Sequence, residues 1–299
     1  MHGIIDSETR NNLFLDCLRA PMTLARNCVD KVIDNFVFYP PCKENKVFNK
    51  LTSDNSKLVF VTSKNKKRVS LVEIYPSHGK HGKHGNHGNH GNPPEKYLVY
   101  SHGTKTTIVG KFNYWKKIAN DLNIGIISYD YIGYGLSENE DPSEQGCYDS
   151  LDAVMDYINN TLAVDKTNII LVGRSLGTGI VVDYAVKHNW ETPIMLISPY
   201  KSICTVVMDT WLVSLINKYN TVEKISRLKC PTKIIHGTLD DIIDISHAEA
   251  LISELQNKDL PPLWIPNIGH RNIFKMITYD IYLELINYNN KLINSNNKN

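Results

Sequence analysis

Nowhere in the 299 residues do two cysteines stand as a C-x-x-C pair. The cysteines present (Cys17, Cys28, Cys42, Cys147, Cys204 and Cys230) are scattered, which in a chain this long marks reduced thiols rather than a disulfide framework. Long apolar runs are missing as well. Val181-Val182 with its neighbours and the stretch Gly125 to Ser128 fall far short of a membrane span. An excess of one charge is also lacking: a formal net charge of +2 gives no reason to expect a nucleic-acid partner. The first turns of chain carry Asp6, Glu8, Arg10 and Asp16 among apolar residues, so no secretory signal is expected, and His2 after the initiator excludes myristoylation. A cytoplasmic location is the expectation. Asn159-Asn160-Thr161 then reads as the polar end of a helix, not as a glycosylated sequon.

What is present fits a globular protein of ordinary composition, 42% hydrophobic and 21% charged, long enough to bury a substantial core. Residues 1–57 form an N-terminal extension in which Leu13 to Phe38 predicts one or two amphipathic helices, broken at Ala20-Pro21 and ended by Pro40-Pro41. Leu58 to Thr62 and Val69 to Tyr75 predict a pair of antiparallel strands. Within residues 77–92 the unit H-G-x recurs, placing His78, His81, His84, His87 and His90 in a flexible surface loop. That loop is either a neutral expansion or a tract that captures zinc or nickel loosely, without a defined metal site.

From Lys96 the order becomes regular. Strands are predicted at Tyr97 to Ser101, Ile124 to Tyr129, Asn168 to Val172, Ile194 to Ser198, Lys233 to His236 and Leu263 to Ile265. Helices are predicted between them: Ile108 to Leu122, one marked by Leu151, Val154, Met155 and Ile158, and Gly179 to Val186. Short, Ile- and Val-rich strands alternating with helices indicate an α/β domain over residues 58–287, a mostly parallel central sheet with helices on both faces. Ile203 to Ile216 is more apolar than a connector needs, and is either a helix covering the sheet or a small cap over a pocket. The last helix, from Ile273 to about Leu285, is expected to give way to a disordered Asn-rich tail at 288–299.

Chemistry concentrates in Gly173-Arg174-Ser175-Leu176-Gly177, a G-x-S-x-G pattern between an aliphatic strand and a small, apolar helix. In that context the serine sits on a strained turn, and the flanking glycines give neighbouring backbone room. A serine hydroxyl needs a base, and the base an orienting acid. On an open parallel sheet both gather just beyond the carboxyl ends of strands. His270 lies in such a loop after Leu263 to Ile265. Asp240 follows the strand ending at His236-Gly237, with Asp241 and Asp244 as runners-up better placed to cap the next helix. Two backbone N–H groups are expected to form an oxyanion hole, those of Leu176 and Thr104, each typically worth about 3 kcal/mol in the transition state. His102 and Asp130 are expected to brace loops around the site. Neither metal nor organic cofactor is needed for such chemistry.

These residues make the chain resemble α/β-hydrolase-fold serine hydrolases, and more narrowly the α/β-hydrolase-domain-containing 17 proteins, a group of protein depalmitoylases. The matching stretches are Tyr100 to Thr104, Ser128 to Gly135, Pro142 to Glu144 with Tyr148, Gly173 to Thr178, Leu196 to Pro199, Cys230-Pro231 with Ile235 to Asp240, Ile243 to His247, Pro262 to Trp264, and Gly269-His270. They run in order across about residues 96–285. The resemblance implies an α/β-hydrolase fold, a triad of Ser175, Asp240 and His270 in that chain order, and long-chain acyl thioesters of lipidated, membrane-associated proteins as substrates. It also implies membrane attachment through a cysteine-rich, lipid-modified N-terminus. Here Cys17 and Cys28 are isolated, which leaves at most a peripheral association with membranes. The family pattern usually has Asn at 104 and Gln or a similar residue at 174, where this chain has Thr104 and Arg174. A short-chain carboxylesterase, a serine peptidase of the same fold and a non-catalytic hydrolase-like binding protein are the alternative readings. Acyl-chain length and oligomeric state have no signature in the sequence.

Overall fold

The computed structural model describes residues 34, 37–41, 48–77, 94–207 and 219–296. The expected helices of the N-terminal extension, the histidine-glycine loop and most of the 203–216 stretch lie outside the described residues.

Strands β1 (Ser56–Thr62) and β2 (Arg68–Ile74) pair antiparallel, in register from Ser56 opposite Ile74 to Thr62 opposite Arg68. After them strands and helices alternate: β3 (Tyr97–Ser101), α1 (Phe112–Leu122), β4 (Gly125–Tyr129), α2 (Glu144–Asn160), β5 (Ile169–Arg174) and α3 (Leu176–Lys187). Then come β6 (Ile194–Ile197), α4 (Ile203–Val207), α5 (Thr221–Ile225), β7 (Thr232–Gly237), α6 (Ile245–Glu254), β8 (Leu263–Ile265) and α7 (Tyr279–Asn296). The strands form one sheet in the order β1-β2-β4-β3-β5-β6-β7-β8, in which β2 runs antiparallel to both neighbours and the pairs from β4 to β8 are parallel.

Burial explains this order. Every residue of β3, β4 and β6 is buried, as a strand covered on both faces requires. One face carries α2 and α3 through Val154, Ile158, Ile180 and Val181. The other carries α1 and α7 through Trp115, Ile118, Tyr282 and Leu285. Trp115 is fully buried, its ring 4.6 Å from that of Tyr100 and 5.8 Å from that of Tyr282. Aromatic pairs of this kind contribute about 0.5–1.5 kcal/mol beyond the area they bury. No helix among the described residues is long and apolar enough to cross a membrane.

The carboxyl-terminal segment corrects the expectation of a disordered tail. A 3-10 turn occupies Ile273–Lys275, and α7 starts only at Tyr279 but continues to Asn296. Tyr282, Leu285, Ile286 and Asn289 repeat at helical spacing, and all are buried. Asn289 takes a core position because its Nδ2 donates to the carbonyl of Thr167 at 2.7 Å, just before β5. An apolar-periodicity reading stops at such a residue, whereas the helix does not. Asn289→Ala leaves that carbonyl without its partner and is expected to cost about 1–3 kcal/mol, lowering the melting temperature by several degrees. A thermal melt identical to wild type would show that the bond does not hold α7 in place.

Candidate active site

Parallel strands bring their carboxyl ends to one edge, so the loops after β3, β5, β7 and β8 meet there. Between β5 and α3 stands a single residue, Ser175. Its backbone, at φ 50 and ψ −119, lies in a left-handed region that a side chain makes costly. The surrounding structure holds it: Ser175 N donates to Ile197 O at 2.9 Å, and Thr178 returns two bonds to Ser175 O, from its N at 2.9 Å and its Oγ1 at 2.6 Å. The flanking glycines are needed for space. A Cβ at Gly177 would stand 2.1 Å from Ser101 O, and one at Gly173 would stand 2.5 Å from Gly177 O.

Asp240 follows β7 and is held by three donors. Oδ1 accepts from the backbone N–H groups of Ile242 (3.0 Å) and Ile243 (2.8 Å), and Oδ2 accepts from His270 Nδ1 at 2.8 Å. Burial works against its charge, but the bond from His270 and the two backbone N–H groups outweigh it and hold the carboxyl below the usual range. This geometry places the His270 proton on Nδ1 and leaves Nε2 as an acceptor. Ser175 Oγ makes no hydrogen bond to any described residue, so the serine-to-imidazole link is open. In free enzymes such links are commonly long and tighten with substrate. The N–H groups of Leu176 and Thr104 donate to no described residue either, and so remain available as anion donors.

The other candidates take supporting positions. Asp244 caps α6, its Oδ1 accepting from Ser246 N at 2.9 Å, and Asp241 is exposed. His102 and Asp130 are wholly buried: His102 Nδ1 donates to Gly103 O at 2.9 Å, its ring packs 4.2 Å from that of Tyr131, and Asp130 Oδ1 accepts from Ile108 N at 2.8 Å.

Three features escaped sequence reasoning. Thr104 Oγ1 donates to Val37 O and accepts from Tyr39 N at 3.1 Å, fastening residues 37–39 of the N-terminal extension to the loop after β3. His236 Nε2 donates to Ile243 O at 2.8 Å and lies 3.4 Å from Asp240 Oδ2, bracing the acid loop from inside β7. Arg174 Nη2 donates to His270 O at 3.0 Å, so the serine turn and the histidine loop touch. The first and the last had a signal, a threonine and an arginine where the resemblance expects asparagine and glutamine or a similar residue.

Residues 91–195 match the family model of the α/β hydrolase fold. An α/β hydrolase of Acanthamoeba polyphaga mimivirus is 42% identical over 260 residues, covering 87% of this chain and 94% of that protein. The chain belongs to the α/β-hydrolase family. Within it, α/β hydrolase domain-containing protein 17C of Homo sapiens is 33% identical over 60% of this chain, and protein 17B of Xenopus laevis 33% identical over 64%. The chain spans 55% of the length of the former and 65% of the latter. An esterase of Pyrococcus furiosus superposes with a TM-score of 0.62 at 15% identity, covering 80% of this chain and 93% of that one, a likeness of fold. The family is one of hydrolases.

Beside the acid loop, His247 Nδ1 accepts from Lys201 N at 3.2 Å. Burial, then the Lys201 charge, push its pKa down to about 4. The unfolded chain takes up this proton near pH 6.5, so the neutral ring supports folding fully above that pH. Its contribution is lost as the pH falls from about 6.5 toward 4. His247→Asn keeps an acceptor for Lys201 N at the Nδ1 position and removes the titration. Urea unfolding across this range should show the wild type losing stability faster than the variant on acidification; parallel profiles would contradict the assignment.

Proposed function

We propose that the chain is a serine hydrolase that cleaves carboxylic ester or thioester bonds through an acyl-enzyme on Ser175. The observation that carries this reading is the 2.8 Å bond from His270 Nδ1 to a charged, buried Asp240, at the sheet edge where a serine is held in a strained turn. In this reading Ser175 Oγ attacks the acyl carbon while His270 Nε2 takes its proton, and Asp240 holds the imidazole in that tautomer and stabilises the imidazolium. The N–H groups of Leu176 and Thr104 stabilise the developing oxyanion. His270 then gives its proton to the leaving alcohol or thiol. It next takes a proton from the water that attacks the acyl-enzyme, and returns that proton to Ser175 Oγ as the bond to the acyl carbon breaks and the acid leaves. The steps draw on this chain's own residues, without metal or organic cofactor.

Similarity to the domain-containing 17 proteins favours long-chain acyl groups on lipidated proteins as substrates, met in the cytoplasm or at a membrane surface. A general short-chain carboxylesterase differs only in the room left for the acyl chain. Ser175→Ala is expected to abolish labelling by a fluorophosphonate probe and to lower hydrolysis by several powers of ten; a labelled variant would remove Ser175 from the mechanism. A series of p-nitrophenyl esters of increasing acyl length, run beside a palmitoyl thioester, should show kcat/KM rising with length. A maximum at acetate or butyrate would favour the short-chain esterase.

A further inference from the structure

Arg174 occupies the variable position before the nucleophile, and no carboxylate among the described residues lies within 4.0 Å of it. Its guanidinium instead joins three loops. Nη2 donates to His270 O at 3.0 Å, and the head group lies 6.0 Å from the ring of Phe274, just downstream on the same loop. Nη1 fills the space beside Gly103, 2.8 Å from where a Cβ would stand, and that same point is 3.5 Å from Ser175 Cβ. Nε is buried without a partner. A second cation, Lys111, lies 4.6 Å from the same Phe274 ring. A buried donor left unmet and a like charge nearby both cost stability, so packing alone does not account for an arginine here.

We propose that Arg174 is a positioning residue whose guanidinium holds the His270 carbonyl and so fixes the imidazole against the serine turn and the oxyanion loop. The proposal rests on the serine-hydrolase reading above. The His270 ring is tethered through one nitrogen, to Asp240 Oδ2, and a ring held at one atom still swings about that bond. A second hold, on the backbone of the same residue, removes the swing. Misplacing a reacting group by about 1 Å can cost roughly 100-fold in rate. The same packing explains glycine at 103, because a β-carbon there would push Nη1 away and draw Nη2 off the carbonyl.

Steady-state hydrolysis of a p-nitrophenyl ester tests this in wild type, Arg174→Gln, Arg174→Ala, Gly103→Ala and the Gly103→Ala/Arg174→Ala double variant, with melting curves to verify folding. Arg174→Gln and Arg174→Ala should lower kcat by about 10- to 100-fold with KM unchanged, and added guanidinium should restore part of the loss in Arg174→Ala. Gly103→Ala should lower kcat in wild type but cost little more once Arg174 is alanine, a coupling that independent sites would not show. Wild-type kcat in both Arg174 variants, or an undiminished Gly103→Ala effect without the arginine, overturns the positioning role. If Arg174→Ala does not fold, Arg174→Lys decides: it keeps the charge without the planar fork, and an unchanged kcat counts against the proposal. Ser175→Ala in parallel separates the two levels, since activity surviving that change defeats the hydrolase reading itself.

Discussion

Backbone lies directly on backbone where Gly177 crosses Ser101, and the site depends on that contact. A Cβ at 177 would come within 2.1 Å of the Ser101 carbonyl oxygen. Because only hydrogen stands there, α3 leaves β5 after a single intervening residue and passes over the end of β3. The loop that leaves β3 therefore starts beside the serine turn, the juxtaposition on which the proposed oxyanion hole of the Thr104 and Leu176 N–H groups rests. Sheet register makes the same demand, since Ser101 pairs with Gly173 in the parallel ladder.

The groups at this edge are held to very different degrees. Asp240 has three donors and is fully committed. His270 is anchored at one ring nitrogen and at its carbonyl, with no described residue bonded to the other nitrogen. Ser175 is fixed through its backbone, and its hydroxyl is engaged by no described residue. Constraint decreases from Asp240 to His270 to Ser175, which in the proposed mechanism is the order in which acid, base and nucleophile must respond as substrate arrives. The structure concentrates its polar contacts on the group whose charge must not change.

The fold was largely legible because its strands are short, apolar and covered on both faces, a pattern that survives in composition alone. β3 and β8 coincide with the stretches expected from sequence. Candidate residues were legible for a related reason: the ends of parallel strands share one edge, so position after a strand implies position in space. Other features rest on polar bonds between distant residues, which leave no local pattern. Tyr39 meets Thr104 across 65 positions, Arg174 meets His270 across 96, and Asn289 meets Thr167 across 122. Asn289 misled directly, because an amide that completes a backbone bond inside the core looks in sequence like a surface residue.

β8 is three residues long and has a single neighbour, β7. The loop it carries is fastened mainly to the loop after β7, through Leu239 N to Ile268 O, Thr238 N to Ile265 O, Asn267 N to Thr238 Oγ1 and His270 Nδ1 to Asp240 Oδ2, and otherwise by the Arg174 guanidinium. Edge elements with so few ties open at lower free energy than the core. Fraying of β8 would withdraw His270 while β3 to β7 and their helices stay intact. Heat or mild denaturant would then displace His270 well before unfolding the protein, and on cooling the imidazole would return without the rest of the chain having to refold.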